Sequence, residues 1–253
     1  MVRESTSAFD DVIERAITDR NVIAAFLTGS RGKGFHNENS DHDLYLVTDK
    51  ATALPYEGGP GLDLQVVTWG ELEGNAAWGT ARAWDRYDFL HVAVILDRSS
   101  GELERLLREK SSIPASEQRP FVAASLDAYF NGLYRSLKCH RAGEFLGQRL
   151  EAVASIPPLL DALFGLHNRP RPFLGYVRKE LEHYPLAELP ASAPSLCHSL
   201  DEVLSTAAVS AQVSLFRLFE PLFRQAGYGP VFDSWRELEW IRNYGLEDSL
   251  VAD

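Results

Sequence analysis

Residues 27–47 read LTGSRGKGFHNENSDHDLYLV, and the fold turns on how this stretch is taken. An apolar strand ends at Thr28-Gly29-Ser30, a polar loop follows, and a second strand opens with aspartates on alternate positions, Asp41 and Asp43. Three readings compete: an ordinary surface hairpin, a phosphate-gripping loop, and a metal-dependent phosphoryl-transfer site. The P-loop form is excluded, because GxxxxGK[ST] needs a lysine and a hydroxyl residue where Phe35 follows Gly34. The dinucleotide fingerprint fails too, since Gly32-Lys33-Gly34 is followed by Asn37 where the final glycine belongs.

Working outward, helical and strand periods alternate through the first half. Ala8 to Asp19 has apolar residues at helical spacing. Val22–Leu27, Asp41–Val47, Leu62–Thr68 and Phe89–Leu96 read as strands. A helix is expected from Trp69 towards Tyr87 and another over Leu103–Lys110. The break at Ser111-Ser-Ile-Pro-Ala-Ser places a domain boundary at 117/118, giving domains 1–117 and 118–253. Beyond it the pattern is helical: one helix over Val122–Leu150, one starting at Ile156-Pro-Pro, one over Arg171–His183, and one long or two shorter over Pro194–Gln225. The fold class is therefore α+β, a mixed β-sheet flanked by helices followed by an all-α helical bundle.

Composition narrows the function. With 25 Lys+Arg against 36 Asp+Glu the net charge is −11, which argues against a broad nucleic-acid surface and favours small, cationic partners. No leader pattern opens the chain and no apolar run reaches the roughly 20 residues of a membrane span. Cys139 and Cys197 have no zinc-ligand spacing and read as reduced thiols of a cytoplasmic protein.

On a strand, Asp41 and Asp43 leave the same face, about 6–7 Å apart at the backbone. Carboxylates so placed repel one another, so such a site holds a cation or faces water. Magnesium takes one or two carboxylates and shares its remaining shell with water and phosphates, so Mg²⁺ over Asp41 and Asp43 would meet a triphosphate. Gly29 lets the backbone approach an anion, Ser30 adds a hydroxyl, and Arg31 and Lys33 add positive charge. Asp63, in Leu-Asp-Leu-Gln, would join the pair if its strand is a neighbour.

Gly29-Ser30, a spacer, Asp41-His42-Asp43 and a later strand carboxylate, Asp63, resemble the DNA polymerase beta-type nucleotidyltransferase superfamily. The turn Gly-Ser-Arg-Gly-Lys-Gly is similar to the Gly-Ser-Arg-Ala-Arg-Gly form of small bacterial members, and the helical second half is similar to antibiotic nucleotidyltransferases of the aminoglycoside type. That resemblance implies an N-terminal nucleotidyltransferase sheet in which Asp41 and Asp43 ligate Mg²⁺. Gly29, Ser30 and Arg31 would hold the triphosphate of ATP or another nucleoside triphosphate. It further implies that Asp63 is either a metal ligand or the general base, and that Lys138, on the first helix of the second half, reaches the phosphates. No role falls to His36. The expected activity is transfer of a nucleoside monophosphate, AMP from ATP most simply, to a hydroxyl of a small cationic acceptor such as an aminoglycoside-like antibiotic. The alternative is a toxin–antitoxin type of nucleotidyltransferase that binds a protein partner or adds AMP to it. Whether the chain pairs as a homodimer is left open.

Overall fold

The computed structural model describes residues 8–51 and 56–245; the opening residues on which the expectation of no leader rests lie outside that range. The chain divides into two compact units, Met1–Pro114 and Ala115–Asp253. The expected boundary at 117/118 falls inside the first turn of a helix that opens at Ala115, so the break lies at Pro114 instead.

The first unit runs α1 (Ala8–Thr18), β1 (Val22–Leu27), a one-turn helix α2 (Gly29–Gly32), β2 (His42–Thr48), β3 (Leu62–Thr68), α3 (Trp69–Gly74), a 3-10 stretch (Ala83–Phe89), β4 (Ala93–Asp97) and α4 (Glu102–Lys110). Its strands form one mixed sheet in the order β3-β2-β1-β4. β1 is antiparallel to both β2 and β4, and β2 is parallel to β3. The apolar run Leu44-Tyr-Leu-Val47 is buried on both faces, as a central strand must be. Leu44 and Leu46 pack with Val12 and Ala16 of α1; Tyr45 and Val47 pack with Leu72 of α3 and Leu103 and Leu106 of α4. The sheet is thus covered by helices on both sides.

Two expectations here are corrected. The helix from Trp69 stops at Gly74: a capping box between Thr68 and Glu71 starts it, but Ala76 (φ 52) and Gly79 (φ 79) then take left-handed backbone that no helix continues through. The strand expected over Phe89–Leu96 is only Ala93–Asp97, because Phe89 closes the 3-10 stretch and His91 sits at φ 55.

The second unit comprises α5 (Ala115–Arg141), α6 (Phe145–Leu166), a 3-10 turn (Leu174–Tyr176), α7 (Val177–His183), α8 (Ala193–Thr206), α9 (Val209–Phe223), α10 (Gly229–Asp233) and α11 (Leu238–Asn243). The single helix expected over Val122–Leu150 is broken at Gly143 (φ 74), where the Glu144 N–H donates back to the Cys139 carbonyl. Small residues then let α5 and α6 run antiparallel in close contact. A side chain at Gly147 would meet Cys139, one at Gly132 would meet Ser155, and one at Gly165 would meet Val122. Pro157 and Pro158, expected to open a helix, lie inside α6. The carbonyls they leave without a helical donor belong to Val153 and Ala154, which are exposed to water, while Ile156, Leu159 and Leu160 bury the opposite face. Arg171–His183 is helical only from Leu174, and Pro194–Gln225 is two helices separated at Ala207 (φ 51). Phe130 meets both Phe216 and Phe232 edge-on in the core of this unit. Among the described residues, no helix is long and apolar enough to cross a membrane.

Glu180 is fully buried, and the guanidinium of Arg169 binds it while also donating to the Tyr184 carbonyl (2.8 Å). Arg169→Met removes this cation from a buried carboxylate and should destabilise the second unit by about 3–5 kcal/mol. Adding Glu180→Leu should recover most of the loss, read from urea unfolding of the two variants.

Candidate functional site

The parallel register pairs Asp43 directly with Asp63. Both carboxylates therefore leave the same face of the sheet from strands about 4.8 Å apart. Asp41, two residues before Asp43, shares that face at the mouth of β2, where the His42 N–H continues the pairing by donating to Gly61 (2.9 Å). His42 points to the opposite side and stacks on Phe9 of α1 at 4.1 Å, which fixes which face the aspartates take. The three expected carboxylates thus converge on one end of one face.

The Gly29–Gly34 turn closes on them. Thr28 N–H donates to the Asp43 carbonyl (2.9 Å), and Gly29 takes a left-handed φ of 54. A Cβ on Gly29 would lie 1.8 Å from Oδ2 of Asp43, so only glycine permits this approach. Gly32 is equally confined: its Cβ would lie 2.4 Å from the Leu27 carbonyl oxygen. Ser30 is half-buried at the turn, and its hydroxyl makes no hydrogen bond among the described residues.

The basic residues of the turn have internal duties. Arg31, which the resemblance places at a triphosphate, donates from Nε and Nη2 to the Ser40 carbonyl (3.1 and 2.7 Å) and from Nε also to the Asp41 carbonyl (3.1 Å). It fixes the backbone that delivers Asp41. Lys33 is buried, and its ammonium donates to the carbonyls of Asp88 (3.2 Å) and Leu90 (2.8 Å) while lying 4.7 Å from the centre of the Tyr87 ring. Lys138 belongs to the second unit, exposed on α5, with its ammonium 5.2 Å from the Tyr134 ring.

Electrostatically the face is short of positive charge. Burial raises the Asp43 carboxyl above its ordinary value, the charges of Asp63 and Asp41 raise it further, and Lys33 and His42 work the other way. None of Asp41, Asp43 and Asp63 makes a side-chain hydrogen bond or ion pair among the described residues. A further carboxylate, missed in the sequence, acts electrostatically on this end of the unit: Asp88, pushed up to about 6 by burial, with Asp85 and Asp43 adding to the rise and Lys33 and Arg82 opposing it. Its sequence signal was the placement of an acid between Tyr87 and Phe89, both buried. The strand expected from Phe89 onward hid it.

Asp41, Asp43 and Asp63 all offer hard oxygen donors, the chemistry that magnesium or another small hard dication selects. Among the described residues, no group of three or more His, Cys, Asp or Glu is gathered into a cage that could hold a metal ion. The fit is therefore to an ion taking one or two carboxylates and completing its shell with water or substrate oxygens, as magnesium does. No protein-family model matches the chain, and no curated protein matches it.

Gly29→Ala should destabilise the first unit by more than the about 1–2 kcal/mol of left-handed strain alone, because it also displaces Asp43. Gly34→Ala, at φ 73 with nothing within 4 Å, carries the strain without the clash and is the control in the same thermal unfolding assay.

The Asp88 shift gives a signed pH dependence. The folded state holds its proton to about pH 6 while the unfolded chain releases it near the ordinary value of 3.8, so this group makes the protein less stable as pH rises between them. Asp88→Asn should remove that slope, its advantage over wild type in urea unfolding being larger at pH 7 than at pH 4.5.

Proposed function

We propose that this protein is a magnesium-dependent nucleotidyltransferase that moves a nucleoside monophosphate, AMP from ATP most simply, to a hydroxyl of a small cationic acceptor. The observation that carries the reading is the register of Asp43 on Asp63, with Asp41 beside them and, among the described residues, no ion pair to any of the three. That arrangement sits at the end of a mixed sheet, against a Gly-Ser turn that only glycine could bring so close. Nothing in a surface hairpin would call for it. The cost of holding like charges together without partners is what a bound dication would offset.

In this reading Asp41 and Asp43 hold Mg²⁺, which would supply charge neutralisation at the attacking and leaving oxygens. Ser30 and the turn backbone bind the triphosphate. Arg31 acts through the backbone, holding Asp41 in place. Lys138 is the proposed contribution of the helical unit to phosphate binding. The acceptor oxygen attacks the α-phosphorus in line, the bond to the pyrophosphate oxygen breaks, and the acceptor's proton passes to a carboxylate, for which Asp63 is the proposed base. An acidic chain attracts a cationic acceptor over distance and leaves little need for a broad basic surface.

The test is incubation with labelled nucleoside triphosphates, Mg²⁺ and a panel of hydroxylated amine antibiotics, followed by mass spectrometry for a nucleotide adduct. Asp41→Ala and Asp43→Ala should each reduce transfer by more than the roughly 10–100-fold lost when only a supporting outer group is removed. Full turnover by either folded variant refutes the metal assignment. Asp63→Asn should cut turnover far more than triphosphate binding; equal losses in both would make Asp63 a metal ligand.

A further inference from the structure

The second unit holds a cavity of about 490 Å³, a size in the range of small-molecule sites. Three segments line it: the end of α6 with Leu166 and His167, the loop after α7 with Glu188, and the last turn of α9 with Leu222, followed by Gln225 and Ala226. Two features there are out of place in a mere packing gap. Nε2 of His167 is shut off from water yet has no hydrogen-bond partner, a state that buried polar atoms normally avoid. Burial and the charge of Arg169 hold the imidazole below its ordinary value, with Glu188 opposing, so at neutral pH the ring is uncharged and keeps one nitrogen as an acceptor. Glu188 takes a left-handed backbone (φ 57), which glycine would adopt freely and a residue with a side chain adopts at a cost. Its carboxylate makes no ion pair or side-chain hydrogen bond among the described residues. With His167 neutral, it is the one formal charge among the described lining residues. Both α6 and α9 end here by their C-termini, where a helix dipole is negative, so the cavity favours a cation.

We propose that this cavity binds a small organic ammonium ion, its nitrogen at the Glu188 carboxylate, one N–H turned to Nε2 of His167, and its carbon skeleton against Leu166, Leu222 and Ala226. The χ2 torsion of a histidine is soft, so a small turn of the ring presents Nε2 to the ligand. An alcohol of the same shape keeps the apolar contacts and loses the charge pair. A carboxylate of that shape meets Glu188 with like charge. The site does not rest on the nucleotidyltransferase reading: its residues all belong to the second unit, and its occupancy needs neither metal nor nucleotide.

The experiment titrates the full chain, free of Mg²⁺ and nucleotide, with cyclohexylammonium, cyclohexanol and cyclohexanecarboxylate in turn. Salt at about 0.15 M screens the long-range pull of an acidic protein on any cation. Binding is read from the NMR signals of the His167 ring, assigned by their absence in His167→Phe. Cyclohexylammonium should shift them saturably with a Kd on the order of 1 mM, as suits so small a ligand. Cyclohexanol should bind about tenfold more weakly, and the carboxylate should leave the signals unmoved. Glu188→Gln should erase the preference for the ammonium over the alcohol. Ala226→Trp, which fills the cavity from an exposed position, should abolish the shifts with both. Should Ala226→Trp not fold, Gln225→Trp plugs the same cavity from the neighbouring exposed position. No saturable shift at His167, equal binding of ammonium and alcohol by wild type, a preference that survives Glu188→Gln, or shifts that survive the folded tryptophan variant would each overturn the proposal.

Discussion

Like charges gathered on one end of a sheet, none of them in an ion pair among the described residues, are the constraint on which the first unit depends. The parallel pairing of β2 and β3 puts Asp43 beside Asp63, and strand alternation adds Asp41. Each carboxylate raises the cost of ionising the next, and burial of Asp43 adds to that cost. A protein selected for stability alone would place apolar or paired residues here. The surrounding structure accepts the cost and organises itself around it: glycine where a Cβ would strike Asp43, an arginine on the carbonyls beside Asp41, and a buried lysine under the turn.

The support for this end of the sheet comes from its two hydrophobic faces. On one, α1 packs Val12 and Ala16 against Leu44 and Leu46, and the Phe9–His42 stack continues that face up to the site. On the other, Tyr45 stacks on Phe26 at 5.1 Å and meets Phe89, which connects the core to the bend carrying Asp88. The Asn75 side chain donates to the Tyr45 hydroxyl (3.3 Å), so the polar tip of that buried ring is satisfied. The carboxylates therefore project from a packed scaffold, and their spacing is set by strand geometry instead of by loop conformation.

Much of this was legible in the sequence because it follows from period-two alternation. The face shared by Asp41 and Asp43, the burial of Leu44–Val47 and the existence of the first three strands need only residue spacing. What was not legible depended on distant contacts. Arg31 and Lys33 read as positive charge near the turn, and that they donate to carbonyls at Ser40, Asp41, Asp88 and Leu90 is something spacing does not reveal. Asp88 was missed because its significance lies in burial between aromatic neighbours. Two boundaries failed at left-handed residues, a helix end at Ala76 and a strand start at His91, neither of them glycine and so neither marked as a breaker. Conversely, Pro157 and Pro158 signalled a start that burial of the opposite helix face overrides.

The central claim is that Asp41 and Asp43 hold a divalent cation that meets a nucleotide's phosphates. Crystals grown with Mn²⁺ and a non-hydrolysable ATP analogue test it most directly through the anomalous signal of manganese. The account predicts a peak within about 2–2.5 Å of carboxylate oxygens from both Asp41 and Asp43, with phosphate oxygens completing the shell. A bound analogue whose metal lies away from both carboxylates, or a carboxylate face that stays empty at saturating Mn²⁺ and analogue, would contradict it.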